Sequence, residues 1–250
     1  MKLTVSRLAI LLAALLILGG GISSALFGED LLEEYAPEDI IPSKNMLTIS
    51  SVDSLGTDEN ERYLHLTESD FELVADELKV EVAAIKAVVE IEAGKAMKGF
   101  WAPGIPVINF DRSMYLKYRQ KAASTVGAKD ENVPAGLQGY ALKEWTELIN
   151  ARKVNAQGAN LGTFWGMFQI GGFNYKLCGC ESVDEFVKRM AYSELEQLQL
   201  FAMFITNAGM VESLRKKDWS TFARKYNGPS YAKRGYHTKM AKAYAKYSKA

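Results

Sequence analysis

Two acidic residues bracket a stretch that no long regular element can cross. Glu92 closes an apolar run that begins at Val82, and Asp111 follows the short run Val107-Ile108-Asn109-Phe110. Between them stand Gly94, Gly99, Pro103, Gly104 and Pro106, which break helices and strands alike. With residues about 100° apart around a helix, Val82, Ile85, Val88 and Val89 form one apolar stripe, and Glu92 falls within it. Glu90 lies off the stripe, one turn on from Lys86, a spacing that suits a surface pair. A carboxyl group on the buried side of a helix is costly to ionise, so its pKa rises and it keeps its proton near neutral pH. That is what a general acid requires. The spacing also suits a plain cap or salt bridge at the helix end.

The elements that must hold these residues are mainly α-helical. Thr67-Glu68-Ser69-Asp70 has the form of a capping box with Asp in place of Glu, so a first helix is expected to about Leu78, followed by the Val82 helix. Residues 107–110 form one short strand or a buried extended run, and a helix follows from Ser113 to about Ala122. Ser124 to Gln138 reads as loop. Leu142, Trp145, Leu148 and Ile149 mark the next helix, and Ala156 to Gly162 reads as a polar, glycine-containing loop. Ser182 to Glu185 and Ser193 to Glu196 are capping boxes that open two helices, the second ending at Asn207-Ala208-Gly209. Ser220 starts a short helix that breaks at Asn227-Gly228-Pro229, and a last helix runs from Lys239 to Lys249. The sequence has no repeats and no glycine-rich phosphate loop.

The 250 residues, 48% hydrophobic and 24% charged, suit one globular domain with extensions. The net charge of zero hides a gradient, with 18 acidic against 4 basic residues over 28–92 and 11 basic against 1 acidic over 215–250. The basic end, with Tyr226, Tyr231, Tyr236, Tyr244 and Tyr247 interleaved, suits either a solvated helix face or an anionic partner. Cys178-Gly179-Cys180 is too tight for an easy disulfide, and His65 and His237 are distant in sequence, so neither a bridge nor a metal site is expected. No cofactor is expected either. Residues 1–27 have the positive start, apolar core and small residues of an export signal. The apolar character from 8 to 27 also allows a weak inner-membrane anchor. The chain is thus divided into a signal peptide or anchor (1–27), an acidic flexible linker (28–66) and a folded domain (67–250), expected to act as a monomer in the periplasm or outside the cell. Nucleic acid is excluded as a partner on the same ground.

Three islands then stand in order: Glu92, Gly166-Met167-Phe168-Gln169-Ile170 and Tyr226-Asn227-Gly228-Pro229. This order resembles the goose-type lysozyme and lytic transglycosylase superfamily. More closely, AIKAVVEIEAG, INFDRS, FWGMFQIGGFNYKLCG and FARKYNGPSYAKRGYHTKMAKAY resemble the N-acetylmuramidase family of modular phage endolysins, over about three quarters of the chain. The resemblance implies a mainly α, lysozyme-like fold with at most a small β element. It implies cleavage of the β-1,4 bond after N-acetylmuramic acid in peptidoglycan, with Glu92 as the acid of a V-E-S-x-G pattern. Asp111 stands where the family has Glu within F-E-R-H, and the stretch between the two acids is about two residues longer than usual. Asp111 is therefore either the second catalytic carboxylate or a residue that holds Arg112 or a loop. Gln169, Tyr226, Asn227 and Trp165 become candidate substrate-binding residues, whereas Phe168 and Phe173 are expected in the core and His237 in a structural hydrogen bond. The alternatives are a lytic transglycosylase, in which the sugar's own 6-hydroxyl attacks, a silent peptidoglycan-binding module tethered to the membrane, and a membrane-active basic protein.

Overall fold

A computed structural model describes residues 65–94, 98–122 and 126–249. The export segment and all but the end of the acidic linker lie outside the described residues. Helix α1 (Glu68–Leu78) opens on the expected box: Thr67 Oγ1 accepts from the Asp70 N–H, and the Asp70 carboxylate accepts from the Thr67 N–H. Helix α2 (Val82–Ala93) buries Ala84, Ile85, Ala87, Val88, Val89 and Glu92. Its outer residues take other partners than local spacing suggests. Lys86 pairs with Glu68, while Glu90 accepts from Lys246 Nζ at 2.6 Å and from the Tyr247 hydroxyl at 2.6 Å. The C-terminal helix lies along α2 and supplies both donors to Glu90, so tertiary partners take the place of the one a turn away.

After α2 the chain makes two small sheets. Strands β1 (Phe100–Ala102) and β2 (Ile105–Pro106) form a hairpin. Strands β3 (Ile108–Phe110), β4 (Thr163–Trp165) and β5 (Ile170–Gly171) form an antiparallel sheet in that order, with Ile108 opposite Trp165 and Phe164 opposite Gly171. The β3–β4 pairing spans more than fifty residues of sequence, so β4 had no local signal. Helix α3 (Arg112–Lys121) follows β3, and α4 (Gly139–Val154) buries Trp145, Leu148 and Ile149 but leaves Leu142 at the surface.

The segment expected as a polar loop is instead helix α5 (Ala156–Leu161), capped by Asn155, whose side chain accepts from the Gly158 N–H at 2.7 Å. Its glycine serves contact rather than flexibility. A Cβ on Gly158 would lie 2.7 Å from the Arg119 Cα, so α3 and α5 meet backbone to backbone. Gly158→Ala should therefore destabilise the fold by about 1–3 kcal/mol in urea unfolding through overpacking. Exposed helix interiors gain about 1 kcal/mol from the same change, and a gain here would show that α3 and α5 do not touch.

Helix α6 (Val183–Met190) and α7 (Glu194–Asn207) start at Ser182 and Ser193, each accepting one backbone N–H. Neither closes a reciprocal box: Glu185 reaches back to the Glu181 N–H, and Glu196 is drawn to Arg189. Helix α7 is buried nearly all round through Leu198, Leu200, Phe201, Ala202, Met203 and Ile205, which makes it the central helix of the domain. Short α8 (Val211–Arg215) follows. Helix α9 (Trp219–Asn227) is capped by Asp218 rather than by Ser220, and α10 (Tyr231–Arg234) and α11 (Tyr236–Tyr247) complete the chain. No helix among the described residues is long and apolar enough to cross a membrane.

Candidate active site

Helix α2 delivers Glu92 to the interior, where the residue is only 7% exposed. Helix α9 ends against it. Gly228, at φ 76, turns the chain away and leaves Asn227 as the last helical residue. Asn227 Nδ2 donates to Glu92 Oε1 at 2.9 Å. Burial pushes the Glu92 carboxyl up to about 7, against the opposing pull of the Asn227 hydrogen bond and of Lys239. A carboxylic acid so held exists in both forms near neutral pH, with its donor already oriented. The Asn227 Oδ1 atom is buried and accepts no hydrogen bond.

The Gly166–Ile170 segment is the tight connection between β4 and β5. Gly166 takes φ 71, and Gln169 takes φ 50, unusual for a residue with a side chain. Gln169 Nε2 donates to the Gly166 carbonyl at 2.8 Å, and the Gly166 N–H donates to the Val107 carbonyl at 2.8 Å. Tyr226 ties this turn to α9: its hydroxyl donates to the Phe168 carbonyl at 3.0 Å, and its ring stacks on Phe222 at 5.7 Å. At 2% exposed, Tyr226 is a buckle between the turn and the helix that carries Asn227. Phe168 and Phe173 are core residues, as expected.

Trp165 and Asp111 are both engaged by the surrounding structure. Trp165 is completely buried, donates to the Asn160 carbonyl at 3.1 Å and meets the Trp145 ring edge-on, so it has no face to offer a sugar. Its place in β4, at the centre of the three-stranded sheet, decides this. Asp111 caps α3: its Oδ1 accepts from the Ser113 N–H, the Ser113 hydroxyl and the Met114 N–H at 2.8, 2.6 and 3.0 Å. Just before it, the Phe110 N–H donates to the buried carboxylate of Glu144 at 2.8 Å. His237 meets the ring of Tyr231 edge-on, and its buried Nδ1 has no hydrogen-bond partner, so the expected structural bond is absent at that atom.

Two positioning residues carried no motif. Gln197, on α7, accepts from the Met167 N–H at 2.8 Å and donates to the carbonyls of Gly99 and Met190 at 3.1 and 2.8 Å. It staples the Gly166 turn to the loop that leaves α2. Its side chain also explains two glycines, because a Cβ on Gly99 or Gly166 would meet Gln197 Oε1 at 2.5 or 2.8 Å. Glu194, one turn earlier, accepts from the Gly99 N–H at 2.8 Å and the Leu66 N–H at 3.1 Å. The cysteines are free and buried, and burial pushes the Cys180 thiol up to about 12. No cluster of three or more His, Cys, Asp or Glu suited to a metal occurs among the described residues.

A family model described as N-acetylmuramidase matches residues 81–248. The crystal structure of an endolysin from a Burkholderia phage, AP3, is similar to this chain at 31% identity and a TM-score of 0.64, covering 97% of this chain and 94% of that one. A search of curated proteins gives no match.

Proposed function

Since the chain belongs to the N-acetylmuramidase family, we propose that it cuts peptidoglycan at the β-1,4 bond between N-acetylmuramic acid and N-acetylglucosamine, with Glu92 as the general acid. The observation that carries this reading is the burial of Glu92 beside the Asn227 donor, which raises its carboxyl to about 7. Protonated, Glu92 delivers its proton to the leaving oxygen as an oxocarbenium-like centre develops at the muramic sugar. The Asn227 N–H then stabilises the carboxylate left behind. Gln169 and Asn227 serve as hydrogen-bonding groups toward the sugar's N-acetyl and hydroxyl groups. The export-like residues 1–27 support action outside the cytoplasm, where peptidoglycan lies.

Activity that needs a protonated Glu92 should follow its ionisation. We expect kcat/KM to level off below pH 7 on the acid side of neutrality and to fall about tenfold per unit well above it. A flat profile from pH 6 to 9 would remove Glu92 from the role.

Asp111 tests the second half of the reaction. Its carboxylate is committed to three donors of the α3 cap, and the groups that set the Glu92 proton affinity, Asn227 and Lys239, are not acidic. These observations favour a second reading, in which no protein carboxylate attacks and the sugar's own 6-hydroxyl closes an anhydro ring. Asp111→Asn keeps an N-cap and should leave both stability and wall cleavage near wild type, whereas Asp111→Ala should cost about 1 kcal/mol in urea unfolding. Loss of cleavage in Asp111→Asn with stability intact would make Asp111 the second catalytic carboxylate.

A further inference from the structure

From the C-terminal side Lys239 adds a positive charge to the surroundings of Glu92. Gly235, at φ 69, turns α10 into α11, with Arg234 just before the turn and Lys239 in the first turn of α11. Lys239 Nζ lies 5.6 Å from the centre of the Tyr236 ring, and Arg234 hydrogen-bonds with the Tyr236 side chain. Tyr236, half-buried, feels the charge of Glu92, and so does Lys239. Both cations are exposed. Three other lysines near the C-terminus have acidic partners, Lys216 with Glu212, Lys217 with Glu81 and Lys246 with Glu90. Arg234 and Lys239 make no ion pair with a carboxylate among the described residues.

With Glu92 taken as the acid, the geometry points to Arg234 and Lys239 as a carboxylate-recognition site for the 3-O-lactyl arm of the muramic sugar. The chemistry of the glycan makes the match. N-acetylglucosamine carries no charge, whereas the lactyl arm ends in a carboxylate when bare and in the carboxylates of the stem peptide when substituted. The arm belongs to the sugar whose anomeric bond Glu92 breaks, so cations beside the acid register the strand with a muramic unit at that bond. The Arg234 guanidinium offers a planar fork to a carboxylate, and the Tyr236 ring orients the Lys239 ammonium beside it. Because both side chains are exposed, the recognition is weakened by salt.

The test uses binding, so that it does not depend on turnover. Full-length Glu92→Gln protein, and the same protein also carrying Arg234→Gln and Lys239→Gln, are titrated with three glycan fragments: peptide-bearing, amidase-stripped with a free lactyl carboxylate, and stripped with that carboxylate as its methyl ester. We expect the two added substitutions to weaken binding of a carboxylate-bearing fragment roughly tenfold, less so in about 0.5 M salt, and to leave the ester unaffected. Weakening confined to the peptide-bearing fragment assigns the stem-peptide carboxylates, and weakening of the stripped one assigns the lactate. An equal loss on the ester, or no loss on any fragment, overturns the inference. Cleavage of the stripped fragment by the wild type is scored separately, since its absence would count against Glu92 as the acid and not against this site. The melting temperature of each protein checks that the exposed substitutions leave the fold intact.

Discussion

Glu92→Gln should abolish wall cleavage, by about a thousandfold or more, and at the same time make the protein more stable in alkaline solution. The first effect follows from removing the only proton that the proposed chemistry places at the leaving oxygen. The second follows from linkage. The folded-state carboxyl titrates at about 7 against 4.5 for the free group. The stability of the protonated form is fully present below pH 4.5 and is lost as pH rises through 7. At pH 8 the loss amounts to about 3 kcal/mol, from the size of the shift. Glutamine keeps an acceptor for the Asn227 N–H and never ionises, so the variant should match the wild type at pH 4 and exceed it at pH 8. Thermal unfolding at the two pH values reads this directly. An inactive variant that is no more stable at pH 8 would mean that Glu92 is well solvated, and the argument for its raised pKa would fall.

The second large effect is expected at Gln197. Gln197→Met keeps the length and much of the volume of the side chain but leaves the Met167 N–H and the carbonyls of Gly99 and Met190 without partners. Buried groups stranded in this way cost about 1–3 kcal/mol each, so a loss of at least about 3 kcal/mol is expected in urea unfolding, a large part of a typical domain's stability. Cleavage should fall as well, because the Gly166 turn and the loop after α2 are held to each other by this one amide. Gln197→Glu retains the acceptor for Met167 and loses the donor to the two carbonyls, so it separates the two halves of the staple. A cost below about 1 kcal/mol for Gln197→Met would show that water replaces the amide.

How far the site could be read from sequence depended on the range of the interactions involved. The burial of Glu92 was legible because it rests on one helix's periodicity, and the capping box at Thr67 because it spans four residues. Helix α5 was hidden. Its Asn155 cap and its Gly158 look like loop chemistry until Arg119 is known to press against it from α3. The burial of Trp165 was hidden for a related reason. Residue type cannot say whether an aromatic faces sugar or sheet, and the β3–β4 pairing that sets it in the sheet is long-range. Gln197 could have been found by the reasoning applied to Glu92. Glu194, Gln197, Leu198 and Phe201 fall on one side of a largely buried helix, and a polar residue inside such a stripe needs buried partners. Two of those partners, the Met167 N–H and the Gly99 carbonyl, lie 30 and 98 residues back, which no periodicity reveals.

The most direct test is a digest of purified peptidoglycan by the wild type and Glu92→Gln side by side, with the products resolved by mass spectrometry. Fragments ending in N-acetylmuramic acid, reducing or anhydro, from the wild type alone are the predicted result, with the form of the end reporting whether water or the sugar's 6-hydroxyl completes the reaction. Cleavage by Glu92→Gln at the wild-type rate, or ends on N-acetylglucosamine, would contradict the account.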